Sequence, residues 1–183
     1  MEFIKQNQNT QILKKVLVVI VGTILLTLSS KIKIPFYPVP MTMQTFVVLF
    51  LGISFGYKIG VATVSLYLFE GIIGLPVFSN SPEKGVGLVY FMGPTMGYLI
   101  GFLFATFLAG YINLKTNIFL IFIKLILSVS VIYILGLLWL GYLIGWEKPI
   151  FQLGAMPFLL AELFKISLLT IIAKVLINLR RFI

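Results

Sequence analysis

Long apolar runs recur along this chain more often than the core of a water-soluble protein could hold them. They extend over Val16–Ser30, Thr42–Gly56, Ile59–Phe78, Gly93–Ile112, Ile118–Gly145 and Ala155–Ile177. A helix rises roughly 1.5 Å per residue, so about 20 apolar residues cross the ~30 Å hydrocarbon layer of a bilayer. Most of the runs reach that length, and the second needs help from the segment before it. They are continuously apolar, whereas the strands of a membrane barrel alternate. With 60% hydrophobic and 10% charged residues, the chain departs from soluble domains, which are about half apolar and about a quarter charged. The pattern predicts an all-α membrane protein, multi-pass in the cell (plasma) membrane, with lipid as part of its solvent. One integral domain is expected: a polar cytoplasmic N-terminus over 1–15, six transmembrane helices over 16–177 and a basic tail over 178–183.

The first run also has the basic flank and length of a signal peptide, with Thr27-Leu28-Ser29 as a cleavage-like triplet. Ile32 and Ile34 extend the apolar stretch past Lys31 and Lys33 and favour a retained helix. Pro35, Pro38 and Pro40 then break it, and Thr42 is placed to cap the next helix. Glu70, Gly71 and Gly74 interrupt the third run, and Tyr57-Lys58 separates it from the second.

The net charge of +9 lies between the apolar runs and not along one face. It therefore reads as a set of topology signals, not as a nucleic-acid footprint. With the N-terminus inside, Lys5, Lys14, Lys15, Lys58, Lys115, Lys174, Arg180 and Arg181 fall inside, and Lys31, Lys33, Lys84 and Lys148 fall outside. The bias favours both termini inside. It also places the Pro-rich connector and the Ser79–Gly85 loop together on the outer face.

The chain has no cysteine, no histidine and no aspartate. Disulfides, thiolate or histidine metal sites and a conventional catalytic triad are excluded. No G-x-x-x-x-G-K-[ST] sequence is present, so the chain has no phosphate-cradling loop for ATP. No metal and no cofactor is expected.

The informative residues are the ionisable ones inside apolar runs: Glu70, Lys124, Glu162 and Lys165. Charges at membrane depth face a bundle interior and either pair or bind something. Glu162 and Lys165 lie three apart and share a helix face. An acceptor beside a donor is a compact recognition element for a polar ligand, with simple mutual neutralisation as the plainer alternative. Pro157 suits a first helical turn, which sets the pair one to two turns below the outer surface. Glu70 either pairs with Lys124 or is solvated at an interface, and Lys124 can reach water along its own stem. Gly97 with Gly101, and Ala105 with Ala109, form small-residue pairs for close helix packing.

Four stretches carry a resemblance: Ile34-Pro35-Phe36-Tyr37-Pro38-Val39-Pro40-Met41-Thr42-Met43-Gln44-Thr45; Gly71-Ile72-Ile73-Gly74-Leu75-Pro76-Val77-Phe78; Gly93-Pro94-Thr95-Met96-Gly97-Tyr98-Leu99-Ile100-Gly101-Phe102; and Pro157-Phe158 followed by an acidic residue and Lys165. In order and spacing, from about Ile32 to Thr170, the chain resembles the BioY family, the biotin-binding S components of energy-coupling factor (ECF) transporters. The resemblance implies a six-helix component with biotin near the extracellular side. It makes Glu162 and Lys165 the pocket acid and lysine, and Asn80 the loop asparagine. Ala161-Glu162 stands where the family usually has Gly-Asp, and Pro82, Glu83 and Lys84 make the loop after Phe78 less rich in glycine.

Biotin offers two ureido N–H donors, one carbonyl acceptor, an apolar thioether ring and a carboxylate. Glu162 can accept from the ureido group, and Lys165 can donate to the carbonyl or neutralise the carboxylate. Gln44 and Thr45 add neutral hydrogen bonds, while Tyr90 and Tyr133 supply an aromatic wall with a polar tip. Ordinary packing is the alternative for the tyrosines, and a hydrogen bond to the connector is the alternative for Gln44. The resemblance further implies a transmembrane coupling protein with two ATPase subunits, docking through small residues of the first helix. Here these are Gly22, Thr23 and Thr27 without an alanine pair, so a solitary homo-oligomer stays open. The remaining alternatives are an S component or facilitator for another small vitamin, and an intramembrane enzyme using Glu162 as acid or base.

Overall fold

The computed structural model describes the backbone of residues 2–182 and the side chains of residues 9–180. Lys5 and Arg181, two of the charges counted toward the inner side, have side chains outside the described residues. The protein is almost wholly helical. Helix α1 (Glu2–Lys31) starts well before the first apolar run, because the polar segment ahead of Val16 continues the same helix. It stops at Lys31, short of the expected extension through Ile34. The reason lies in the prolines that follow. Lys33–Ile34 (β1) pairs antiparallel with Met41–Thr42 (β2), Lys33 opposite Thr42 and Ile34 opposite Met41. This minimal ladder gives backbone partners to a connector that cannot be helical.

Helix α2 (Gln44–Ile72) is interrupted at Gly56, whose φ of 77° and ψ of 170° are not helical. The chain doubles back there. A Cβ added to Gly60 would lie 3.2 Å from the Gly52 Cα, and Gln44 Nε2 donates to the Tyr67 hydroxyl at 2.7 Å. In a straight helix those last two residues would be ~35 Å apart. The break expected at Tyr57-Lys58 thus falls one residue earlier, on the residue type that tolerates positive φ. Met43, not Thr42, holds the N-cap position, although the Thr42 hydroxyl still accepts from the Gln44 N–H at 3.3 Å. The second arm ends at Ile72 instead of Phe78, since Gly74 has a φ of 99° and Pro76 follows.

After a loop over 73–87 come the short α3 (Leu88–Phe91), then α4 (Met96–Gly110) and α5 (Ile118–Ile144). Asn117 caps α5 by accepting from the Phe119 N–H. A short helix that no apolar run announced, α6 (Ile150–Gly154), leads into a 3-10 turn (Met156–Phe158) with Pro157 in its first turn. Then follow α7 (Leu159–Ile172) and α8 (Ile177–Phe182). Four segments are long and apolar enough to cross a membrane: Asn9–Lys31, Gln44–Ile72, Ile118–Ile144 and Ile150–Ile172; Met96–Gly110 is apolar but shorter. The chain is a helical membrane protein.

Helix α4 is the hub. Gly97 lies against Leu135 and Trp139, Gly101 against Ile132 of α5, and Gly52 of α2 against Ala109. The two small-residue pairs are internal contacts, as expected. Gly22 also faces inward, because a Cβ there would lie 2.5 Å from Thr63 Cγ2, and Thr23 is buried. The small residues of α1 are therefore covered by α2, and Leu17, Ile20, Val21, Ile24 and Leu28 form its exposed face.

The two ends of the bundle are closed differently. At one end, Arg180 donates to the carbonyls of Gly110 (2.7 Å), Ile112 (3.1 Å) and Gly52 (3.4 Å). At the other, Lys31 and Lys33 reach into the loop after α2. Glu70 makes no ion pair with Lys124; among the described residues, ion pairs join Lys165 to Glu162 and Lys33 to Glu83.

Candidate ligand-binding site

A cavity opens among the segments at the lysine-bearing end, with about 50 Å³ open to a water-sized sphere. That is small beside the roughly 300–1,000 Å³ of a typical small-molecule site, so the walls stand close together. The connector supplies Val39, Pro40 and Met41, and the start of α2 supplies Gln44 and Thr45. The loop after α2 brings Phe78 and Ser79, α3 brings Tyr90, and α4 brings Tyr98, Leu99 and Phe102. Ile132 and Tyr133 of α5, with Phe158 and Glu162, complete the wall.

The aromatic side chains support one another. Phe78 stacks on Tyr90 with ring centroids 4.7 Å apart, Tyr98 meets Tyr133 edge-on at 6.0 Å, and Tyr133 lies 6.3 Å from Phe158. The Tyr98 hydroxyl donates to the Gly154 carbonyl at 2.8 Å. That bond ties α4 to α6 and fixes the ring against the cavity.

The charged centre lies on α7. Glu162 and Lys165 are each only 4% exposed, and Lys165 Nζ donates to Glu162 Oε1 at 2.8 Å. Two further acceptors use the rest of the ammonium: the Thr42 carbonyl at 2.6 Å and Thr45 Oγ1 at 3.0 Å. Thr45 in turn donates its proton to Glu162 Oε1 at 2.8 Å. An ammonium has three N–H donors, and here all three are occupied. Glu162 Oε2 is different: it is buried and has no partner at hydrogen-bonding distance among the described residues, although the Tyr133 side chain lies close enough to interact with the carboxylate. An unsatisfied buried carboxylate oxygen is costly and calls for a donor. The site therefore presents one open, negatively charged acceptor within a largely aromatic enclosure.

Of the residues expected from sequence, Glu162, Gln44, Thr45, Tyr90 and Tyr133 come together on the cavity wall. Lys165 does not line it. Its side chain sits behind Glu162, in the wall of a separate apolar groove with Ile32, Met41, Leu163 and Phe164. Asn80 is also displaced: its Oδ1 accepts from Lys33 Nζ at 2.9 Å, and it lines a small adjoining pocket with Thr95 and Tyr90. The loop side chains that do reach the cavity are Phe78 and Ser79. Gln44 is bonded to Tyr67, not to the connector alone, and Tyr67 donates onward to the Val77 carbonyl at 3.0 Å. Tyr98, Thr95, Phe102, Ile132 and Phe158 were not anticipated. Tyr98 stood in a quoted motif, and a tyrosine in an apolar run is a signal for a buried hydroxyl; the apolar wall residues carry no comparable mark.

Known proteins resemble this chain over most of its length. The "Probable biotin transporter BioY" of Pyrococcus horikoshii is 33% identical over 161 residues, 88% of this chain and 94% of that protein. The "Biotin transporter BioY" of Thermotoga maritima is 34% identical over 152 residues, covering 82% and 88% respectively. Among solved structures, the S-component for biotin from an ECF-type ABC transporter superposes with a TM-score of 0.78 and 27% identity, over 93% of this chain and 94% of that one. The sequence pattern of the BioY family matches residues 5–182, which takes in α1, the cavity and the Glu162–Lys165 pair alike, and the chain belongs to that family.

Proposed function

We propose that this chain binds biotin in the cavity beside Glu162 and serves its uptake across the plasma membrane as the substrate-capture component of an ECF-type transporter. The observation that carries the reading is the unpartnered Glu162 Oε2 in an aromatic enclosure, in a chain of the BioY family. A ureido ring supplies N–H donors for that oxygen, and its fused thioether ring suits the walls formed by Phe78, Tyr90, Tyr98 and Tyr133. Lys165 offsets the charge of Glu162 and, through Thr45, fixes its orientation. Gln44 and Ser79 offer neutral hydrogen bonds to the remaining polar atoms. The chain works by binding, and no bond of the ligand is made or broken.

In this reading the bundle has six membrane spans. The two arms of α2 count separately because the chain reverses at Gly56, and α1, α4, α5 and α7 supply the others. Both termini lie inside, since the end with Lys14, Lys15, Lys58, Lys115, Lys174 and Arg180 carries more cations than the cavity end with Lys31, Lys33, Lys84 and Lys148. The cavity then faces outward. ATP hydrolysis belongs to partners, a transmembrane coupling protein with ATPase subunits, unless the chain works alone as a homo-oligomer.

The test is equilibrium binding of radiolabelled biotin to the purified chain, with riboflavin and thiamin as competitors. Saturable binding displaced by unlabelled biotin alone supports the reading. No saturable binding, or equal displacement by the other vitamins, overturns it.

A further inference from the structure

Between Pro76 and Ser81 the chain is neither helix nor strand, so six successive carbonyl groups have no ladder to join. Five of them accept from the end of α1 and the residue two places beyond it. Ser30 Oγ donates to Val77 O at 2.8 Å. Lys31 Nζ donates to Pro76 O, Phe78 O and Ser81 O at 2.9, 2.7 and 3.0 Å, and Lys33 Nζ donates to Ser79 O at 2.9 Å. The sixth, Asn80 O, accepts from the Lys84 N–H. An ammonium facing several carbonyl oxygens forms charge-assisted bonds, stronger than neutral ones. By position both lysines are outward topology charges, yet each also binds the backbone of the loop.

The consequence reaches the cavity because the pinned stretch includes Phe78 and Ser79, both of which line it. Phe78 is 1% exposed and stacks on Tyr90. From these contacts we infer that Lys31, assisted by Lys33, is a positioning residue for ligand retention: it holds the 76–81 loop down over the cavity, and releasing it speeds the departure of the ligand. This rests on the biotin reading for its kinetic part, and on the loop geometry alone for its mechanical part.

Two measurements keep those parts separate. The chain has no cysteine, so Ser79→Cys introduces a single thiol at a buried position that a soluble maleimide can report on with no ligand present. With Lys31 intact, labelling of Ser79→Cys is slow. Adding Lys31→Met, which keeps the apolar stem and removes the donor, accelerates labelling by about tenfold or more, the scale of losing several charge-assisted hydrogen bonds at a partly solvated site. In the chain without the cysteine, Lys31→Met speeds biotin dissociation by a similar factor, about tenfold, while association changes little. Lys33→Met has the same direction and a smaller size, because Lys33 holds one backbone carbonyl against three and its other loop contacts, Asn80 Oδ1 and Glu83, are side chains. Unchanged labelling in Lys31→Met overturns the pinning whether or not biotin binds. Faster labelling with unchanged dissociation overturns the retention role while leaving the biotin reading intact. If the native chain binds no biotin, the ligand assignment fails and the labelling result still decides the loop. Equal slowing of association and loss of the folded fraction in Lys31→Met would mark a merely structural residue and would also overturn the inference.

Discussion

Around α4, the neighbouring helices approach until only glycine or alanine fits; around α7, apolar grooves run along both sides. Gly97 and Gly101 bring α4 and α5 into backbone contact, Gly136 leaves room for the Tyr98 ring, and Gly52 with Ala109 brings α2 against α4. Helix α7 has one groove against β1 and β2 and another against Val129, Tyr133 and Leu137 of α5. In a bilayer, lipid tails are as apolar as leucine, so close packing and hydrogen bonds decide how helices associate. The α2–α4–α5 trio uses the first and α7 relies heavily on the second: Lys165 to Thr42 O, Lys165 to Thr45, and Thr45 to Glu162. A scaffold without slack thus carries a large part of the cavity wall. The helix with the buried carboxylate is fastened by polar groups that also border the cavity.

The largest effect should come from breaking that fastening. Lys165→Ala leaves Glu162 as an uncompensated buried charge, a change that typically costs about 3–5 kcal/mol. Thermal unfolding in detergent should show this loss, and tight biotin retention should vanish with it. The double variant Glu162→Gln with Lys165→Met removes both charges, so it should recover most of the stability and none of the binding. If Lys165→Ala unfolds like the native chain, the polar contacts do not hold α7 and the contrast with α4 fails.

Next in size is a challenge to the tight side. Gly97→Leu places a side chain where the Leu135 carbonyl and Trp139 already stand. Overpacking of this kind costs roughly 1–3 kcal/mol. The same unfolding measurement should show a loss of that size, while molecules that remain folded keep their biotin affinity, since Gly97 does not line the cavity. A neutral result would mean that α4 and α5 can part without penalty.

The helical part of the molecule was legible because apolar length is a coarse signal that survives without an alignment. The α5 run ended within a residue of the observed helix, and Glu162 and Lys165 stood out because ionised groups are rare at membrane depth. The failures have a common physical source. Helix ends at Lys31 and Ile72 depend on what the following prolines and Gly74 do to the backbone, and hydropathy continues across them. Lys31, Lys33 and Arg180 read as charges counted by side, but Lys31 and Arg180 each donate to three backbone carbonyls tens of residues away, and Lys33 donates to Ser79 O and Asn80 Oδ1. Asn80 follows from the family pattern alone, and here its side chain accepts from Lys33 in a pocket beside the cavity. Apolar wall residues such as Ile132 and Phe158 differ from lipid-facing ones only in three dimensions.

At the opposite end from the cavity, Arg180 offers a smaller effect. Cations are favourable at helix C-termini, where carbonyls lack intrahelical partners, and Arg180 bonds to Gly110 and Ile112 at the end of α4 as well as to Gly52. Arg180→Met should cost about 1–2 kcal/mol, as water reaches some of the freed carbonyls. Biotin affinity should not change, because the cavity lies at the other end. A loss of affinity equal to that of Lys165→Ala would show that the two ends are coupled and not independently closed.

The smallest expected effect gives the sharpest comparison, since one substitution can be made at two glutamates within apolar runs. Glu70 is only half-buried, and its side chain has no ion pair. Its backbone carbonyl, which accepts from the Leu75 N–H at 3.0 Å, is untouched by a side-chain change. Glu70→Gln should therefore alter stability by less than about 0.5 kcal/mol, the usual range for surface changes, and leave biotin binding as it is. Glu162→Gln changes the same atoms but replaces the open, charged acceptor Oε2 with an amide, and the Lys165 charge then lacks its partner. Its biotin affinity should fall at least about a hundredfold, the scale of losing a charge-assisted pair in a dry site. If the two variants bound biotin alike, burial and an unpartnered oxygen would not be what separates a ligand-directed carboxylate from a solvated one in this bundle.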